Sequence, residues 1–487
     1  MTNATEWTGP PPGPRTGSLR LPGRDARLRP IGIALMAAAC GIAIELALPG
    51  VPPPARHALI ILLLAMIGWT LTPLDDTFVA VAAAVAMAVV VIRRPETLFA
   101  TLGNQLIWLL LASFLLAAAF RASGAADRLV ALATARLRSV RALAYALTAI
   151  MLATAFLIPS TSGRAAMMVP AYAAIAQHCP GRRLRTAFAL LFPTAILLSA
   201  FASPLGAGAH LLAVEMTARL SGTGIGYLGW VAFGLPFAVL SAFLSTEAIL
   251  RLFLTPEERG DRLPPLPGGT GGTPLRRQPV LWIAAAVVLG WLTEPVHGLD
   301  PTILAVLGAL AVFCPGVAPL PFRDALRQAD LGLLLFLAAT ICLADGMMAS
   351  GLHEWLVATV FRPLQRGELS PPAILALVTA LALLSHLVIH SRTARVSILL
   401  PPVLILARSA GIDPVIAMLA TVSATGFCQT LMISAKPVAL FGGMAESGYG
   451  AGDLARLSAV LLPLHFLLIL LFATVGWPVI GAVLALP

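Results

Sequence analysis

"STSGRAAMMVP", residues 160–170, sets an arginine in a stretch otherwise built for lipid. "YALTAIMLATAFLIP" precedes it and "AYAAIA" follows, so Arg164 has few polar neighbours along the chain. An arginine at the centre of a membrane helix costs roughly 2.5–3.5 kcal/mol on insertion scales. The stretch has a second copy. "SRTARVSILLP" at 391–401 repeats it in register, Ser160 falling on Ser391, Arg164 on Arg395 and Pro170 on Pro401. Ser203 of "FASPLGAGAH" falls on Ser434 of "MISAKPVALF" at the same offset. Upstream, "FRASGAADRLVA" (120–131) aligns with "MMASGLHEWLVA" (347–358) after a short gap. Three co-linear matches mark an internal duplication.

Around these copies the chain is apolar. Of 487 residues, 59% are hydrophobic and 11% charged, whereas a soluble domain carries about 25% charged residues. Apolar blocks recur along the whole length, several of them interrupted by Gly and Pro before they reach the roughly 20 residues of a simple span. The stretch 1–30 is polar and arginine-bearing, with no cleavable signal peptide, and the segment after it reads as the first span. The net charge of +10 suggests nucleic acid at first sight. The basic residues, all arginine except Lys436, cluster between apolar blocks, as cytoplasmic loops do. No nucleic-acid partner is expected, and the lipid bilayer is. The five cysteines are dispersed without a C-x-x-C, so no disulfide or metal framework is expected.

The expected organisation has four parts: a disordered basic cytoplasmic tail (1–29), a first helix and first repeat (30–250), a cytoplasmic linker (251–279) and a second repeat (280–487). The "GGTGG" of the linker lacks the G-K-[ST] ending of a phosphate loop. Re-entrant hairpins are expected near 142–180 and 371–407, entering from opposite sides. With a cytoplasmic N-terminus, about 20 arginines then lie inside and about 7 outside, with Arg121, Arg164, Arg392, Arg395 and Lys436 at membrane depth. That bias obeys the positive-inside rule. The predicted fold is an all-α polytopic membrane protein of two inverted repeats, with about 11 transmembrane helices and two re-entrant helical hairpins. Paired repeats with broken helices at corresponding places are the organisation of secondary transporters.

Non-helical backbone survives inside a membrane only where protein or a watery cavity surrounds it. At a Ser-Thr-Ser-Gly tip, hydroxyls and free N–H groups gather, and the following helix presents its positive end. Two such tips would enclose a small anion near the midplane. The expected substrate-binding set is Ser160, Thr161, Ser162 and Gly163 facing Ser391, Arg392, Thr393 and Ala394, with a guanidinium able to hold a carboxylate bidentately.

These tips, each followed by a broken helix, resemble the paired hairpin motifs of the divalent anion/sodium symporter (DASS) family, over roughly residues 30–485. The resemblance implies transport of di- or tricarboxylates or sulfate by an elevator-type movement, in a homodimer of the inner (cytoplasmic) membrane. It places Ser203, Gly206, Ser434 and Lys436 beside the family's sodium sites. The departures are in charge. The family's tip asparagine is Thr161 in one half and Arg392 in the other, and positions 164 and 395 are both arginine. Fixed cations would compete with Na⁺, the family's coupling ion, so Arg164, Arg395 and Lys436 are candidates to replace it in a sodium-independent exchanger.

Other readings stand beside this one. Arg164 and Arg395 could instead bind hairpin carbonyls, pair with acids such as Glu215 or Asp345, or meet the substrate directly. Lys436 could snorkel from a helix end. His210, His386 and His390 read as satisfied interior histidines rather than proton carriers. No H-E-x-x-H, G-x-S-x-G or metal-spaced acid pair is present, so no enzyme or resident cofactor is expected. The first-choice substrate is a C4-dicarboxylate. The alternatives are a sulfate, sulfonate or arsenite-type permease, or a sodium-coupled symporter.

Overall fold

The computed structural model describes residues 39, 41–46, 48–137, 139–179, 181–262, 278–356, 358–359, 370–444 and 448–484. The expected tail 1–29, much of the first apolar block and the middle of the linker lie outside these residues. Among those described, regular structure is helical apart from one bridge, Ser139 to Arg262.

The first half runs α1 (Pro53–Leu71), α2 (Asp76–Ala86, continued by a π-helical Met87–Ile92), α3 (Gln105–Ala122), α4 (Ala125–Arg136), α5 (Val140–Thr154), α6 (Thr161–His178), α7 (Arg182–Ser199), α8 (Gly208–Ser221) and α9 (Tyr227–Phe253). The second runs α10 (Pro279–Leu292), α11 (Pro301–Val312), α12 (Leu331–Ala349), α13 (Pro371–Leu384), α14 (Arg392–Ser409), α15 (Pro414–Gly426), α16 (Lys436–Gly442) and α17 (Ala451–Leu471). Shorter helices are left unnumbered. Six described helices are long and apolar enough to cross a membrane, and shorter apolar helices include α2, α5, α10, α11, α13 and α15. The chain is thus a polytopic all-α membrane protein.

Local chemistry starts these helices at corresponding places. Asp75 and Asp300 cap α2 and α11, each accepting from the backbone two residues on, Thr77 N at 2.9 Å and Thr302 N at 2.7 Å. Asn104 and Asp330 cap α3 and α12, accepting from Leu106 N two residues on and from Leu333 N three residues on. Such caps satisfy donors that a helix start leaves open. Packing repeats the pattern reciprocally: α2 lies on α12 and α11 on α3, while α8 lies on α14 and α16 on α6. Reciprocal pairing of this kind is what a twofold relation between repeats requires. Helices α1–α3 and α10–α12 pack with one another, and α5–α9 with α13–α17 form a second group. The most extensive contact between the groups is α8 along α12.

The hairpins obey the offset read from the sequence. The arms α5 and α13 begin at Val140 and Pro371, and the arms α6 and α14 begin at Thr161 and Arg392. Each pair is separated along the chain as Arg164 is from Arg395. Beyond them the register slips. The residues just before α8 and α16 are Ala207 (φ −157°, ψ 144°) and Ala435 (φ −153°, ψ 144°), a pair matched in conformation but closer together in sequence than the offset demands. The slip lies before Ser203, since the turn closed by Gly206 N to Ser203 O at 3.0 Å has its counterpart in the one closed by Ser434 N to Leu431 O at 3.0 Å. Lys436 therefore corresponds to Gly208 rather than Leu205, and Ser203 is not the geometric partner of Ser434.

Glycine makes the first break possible. A Cβ on Gly206 would sit 1.9 Å from the Ala200 carbonyl oxygen, and one on Gly234 of α9 would sit 2.4 Å from that of Phe201. Gly206→Ala is expected to lower the thermal midpoint in detergent by the equivalent of about 3 kcal/mol. Gly452→Ala, with open space around it, should shift it by no more than about 0.5 kcal/mol. Equal melting of the two variants would mean that the break yields without cost.

Candidate functional site

Each hairpin tip is built by a serine. Ser160 Oγ accepts from Gly163 N at 3.2 Å and Ser391 Oγ from Ala394 N at 3.3 Å, capping α6 and α14. The N–H groups of Gly163 and Ala394 are thus used internally, leaving the first donors of each helix for the tip. The arginine four residues after each serine turns away from the tip, into the protein. Both Arg164 and Arg395 are fully buried.

Arg164 sits where two helices end. Its Nη1 donates to Ile196 O of α7 at 2.9 Å, and its Nη2 donates to Ser199 Oγ at 2.7 Å and to Met151 O of α5. Its Nε donates to Thr154 Oγ1 at 3.0 Å. The last carbonyls of a helix have no partner within it, and the helix's negative end favours a cation. Arg395 repeats the arrangement at the same offset: Nη1 donates to Phe427 O at 3.4 Å, the counterpart of Ile196 O. Its Nη2 lies 2.6 Å from Cys428 Sγ, while its Nε finds no partner among the described residues. Neither arginine forms an ion pair with Glu215 or Asp345. Both acids pair instead with Arg219 of α8, Glu215 at 2.6 Å, and Asn104 Nδ2 donates to Glu215 at 2.8 Å.

Both tips line one cavity of about 390 Å³. Of the residues expected from sequence, Ser160, Thr161, Ser162, Ser391, Arg392, Thr393, Arg395, Ser434 and Lys436 are on its wall. Gly163, Ala394, Arg164, Ser203 and Gly206 are placed outside that wall, packed behind it. Asp76 and Asp330 line it too and escaped the sequence reading, because an acid opening an apolar block reads as a helix cap. Asp330 is one. At α2, Asp75 does the capping, and Asp76 lies on the same cavity wall as His390, Ser391 and Lys436.

Arg392 is the cation with open valence. Its Nη2 lies 2.7 Å from His210 Nε2, but its Nε and Nη1, both inaccessible to solvent, have no hydrogen-bond partner among the described residues. Gly426 makes room for it: a Cβ there would lie 2.7 Å from Nη2. A buried donor without an acceptor costs about 1–3 kcal/mol, more when charged. The three histidines read from sequence as satisfied differ in placement. His210 is held at both ring nitrogens, Nδ1 lying 3.0 Å from Ser203 O. His386 lies 2.8 Å from Thr430 Oγ1, and His390 is exposed on the cavity wall.

Comparison with known proteins gives likenesses of three kinds. Residues 31–483 match the family model described as the sodium:sulfate symporter transmembrane region. The chain is 24% identical to the citrate/succinate antiporter of Escherichia coli (strain K12), covering 89% of this chain and 94% of that protein. It is 25% identical to dicarboxylate transporter 2, chloroplastic, of Spinacia oleracea, covering 94% and 82%. In fold it is similar to the Alcanivorax borkumensis YdaH transporter, with a TM-score of 0.56 at 17% identity over 88% of this chain and 99% of that one. It is also similar to Neisseria gonorrhoeae MtrF, with a TM-score of 0.57 at 14% identity over 87% and 96%.

The bonds of Arg164 predict a stability phenotype. Arg164→Gln is expected to cost about 3 kcal/mol, since two buried carbonyls lose charge-assisted donors, while the substrate KM of the folded fraction stays within about twofold. Melting and transport of the same preparation check this. A tenfold higher KM at unchanged melting would move Arg164 into the substrate site.

Proposed function

The chain belongs to the sodium:sulfate symporter family, and from that premise we propose that this transporter carries a small multivalent anion, a C4-dicarboxylate first, bound between the two hairpin tips. The observation that carries the reading is Arg392: a guanidinium that lines the cavity between both tips and has no carboxylate partner among the described residues. Its planar fork suits a carboxylate, and the capped helix starts beside it favour negative charge. Arg395 and Lys436 share this wall with Asp76 and Asp330, so with Arg392 the fixed charges of the lining favour an anion. The names of the relatives, a citrate/succinate antiporter and a chloroplastic dicarboxylate transporter, support the same class.

We further propose exchange without sodium. Lys436 opens α16 at the break where the family resemblance places a sodium site, and Arg395 lies on the wall nearby. A cation at a helix N-terminus already opposes a second cation there. The separate packing of α1–α3 with α10–α12, against the hairpin-bearing group, supports a scaffold and a moving part, as an elevator requires. Besides the hairpins, each half carries α1, α2, α3, α7 and α9 or α10, α11, α12, α15 and α17 as apolar crossing segments. Such an odd set supports an inverted second repeat, because it returns the chain to the opposite side. We place the protein in the inner membrane, N-terminus inside, as a homodimer.

The test is uptake of labelled succinate and labelled sulfate into proteoliposomes, with Na⁺ or choline outside and with or without unlabelled succinate inside. Succinate uptake that needs internal succinate and ignores Na⁺ is the expected result. Strict Na⁺ dependence overturns the exchange reading, and sulfate uptake without succinate uptake replaces the dicarboxylate with the second choice. Arg392→Ala should raise the KM for succinate at least about tenfold, the loss of a charge-assisted pair. An unchanged KM would remove Arg392 from the site.

A further inference from the structure

His210 lies in the first turn of α8 and is fully buried between the first break and the second tip. Its ring is held on every side. Nδ1 is 3.0 Å from Ser203 O, Nε2 is 2.7 Å from Arg392 Nη2, and the ring stacks on Trp230 with centroids 4.9 Å apart at 27°. A carbonyl only accepts a hydrogen bond and a guanidinium only donates. The proton must therefore sit on Nδ1 and the lone pair on Nε2, so the imidazole is neutral. The anchors are themselves held: Ser203 Oγ accepts from Leu205 N at 3.2 Å and lies 3.3 Å from Tyr227 Oη, and Trp230 Nε1 donates to Phe201 O at 3.0 Å.

We propose that His210 is a positioning residue for Arg392, its neutral Nε2 fixing one arm of the guanidinium beside the cavity that both tips line. The proposal rests on the reading of Arg392 as the anion ligand. An arginine free to rotate loses rotamer entropy when it binds, and a fixed one has lost it beforehand. Arg392 has Gly426 flat against it, His210 at one arm and no protein acceptor for its remaining nitrogens among the described residues. One arm of the guanidinium is thus fixed before any anion arrives. The device occurs once in the two repeats: counted from the starts of α8 and α16, the counterpart of His210 is Val438, and the counterpart of Arg392 is Thr161. One repeat supplies the aim and the other the charge, which makes a symmetric cavity one-sided.

Two substitutions separate the two ring nitrogens. His210→Gln can keep an oxygen acceptor where Nε2 was and lose the bond to Ser203, whereas His210→Asn can keep a donor toward Ser203 and lose the acceptor for Arg392. Exchange of labelled succinate by the full-length protein in proteoliposomes, read as KM and Vmax with a melting curve for each variant, decides between them. Expected is a KM for His210→Gln within about threefold of the parent and for His210→Asn at least about tenfold higher, with Vmax and melting similar in both. In an Arg392→Ala background, His210→Asn should add nothing to KM. Equal effects of Gln and Asn, or failure of both to reconstitute, mark His210 as core packing and overturn the proposal. If His210→Asn alone fails to reconstitute, a tenfold rise for His210→Gln at native melting overturns it. If Arg392→Ala leaves KM unchanged, it is the anion-ligand reading that has failed, and the positioning role falls with it.

Discussion

A helix that stops inside a membrane leaves carbonyls with no partner and no water to supply one. The architecture of this protein depends on how that constraint is met. Arg164 spreads its donors over the ends of α5 and α7, and Arg395 reaches the end of α15 from the equivalent place. A guanidinium suits this task because its five donors form a rigid fork and its charge complements the negative ends of the helices. With the carbonyls satisfied, α5 and α7 can end inside the protein, and the two serine-capped tips line one cavity.

Symmetry builds that cavity, and departures from symmetry charge it. Arg164 is satisfied at all three nitrogens, whereas its counterpart Arg395 retains an unpartnered Nε and lies on the cavity wall. Thr161 corresponds to Arg392, and Gly208 to Lys436. The cations on the cavity wall therefore come from the second repeat, held in part by groups of the first. A duplicated scaffold can tolerate this because each helix packs against the counterpart of its own neighbour, so a change of side chain at a tip leaves the reciprocal contacts intact.

The contact of α8 along α12 joins the two packing groups. At one end Gly208 meets Leu333 closely, where a Cβ would lie 2.6 Å from the leucine. At the other, Arg219 links Glu215 on its own helix to Asp345 on the facing one. The step from Gly208 to Arg219 nearly matches that from Leu333 to Asp345, so α8 and α12 run side by side in the same direction. Acids that the sequence offered to Arg164 and Arg395 belong instead to this seam.

Much of the fold was legible without coordinates. The offset that carries Arg164 onto Arg395 also relates the starts of α5 and α13 and of α6 and α14, and composition alone placed the chain in a membrane. The tip triplets were legible because Ser and Thr at a helix start have a definite bonding role. Three things were not. The partners of Arg164 and Arg395 are mainly backbone carbonyls, which every residue carries and no pattern marks. The slip in register between the hairpins and the starts of α8 and α16 shows only in the path of the chain. The places of Asp76 and His210 depend on helices far apart in sequence meeting at one point. The amino-acid sequence by itself determined the helical class, the duplication and the hairpin tips, since these follow from local periodicity and capping. Tertiary packing alone decided which cation caps a helix end and which faces the cavity, because that depends on which carbonyl, ring or acid lies within hydrogen-bond reach.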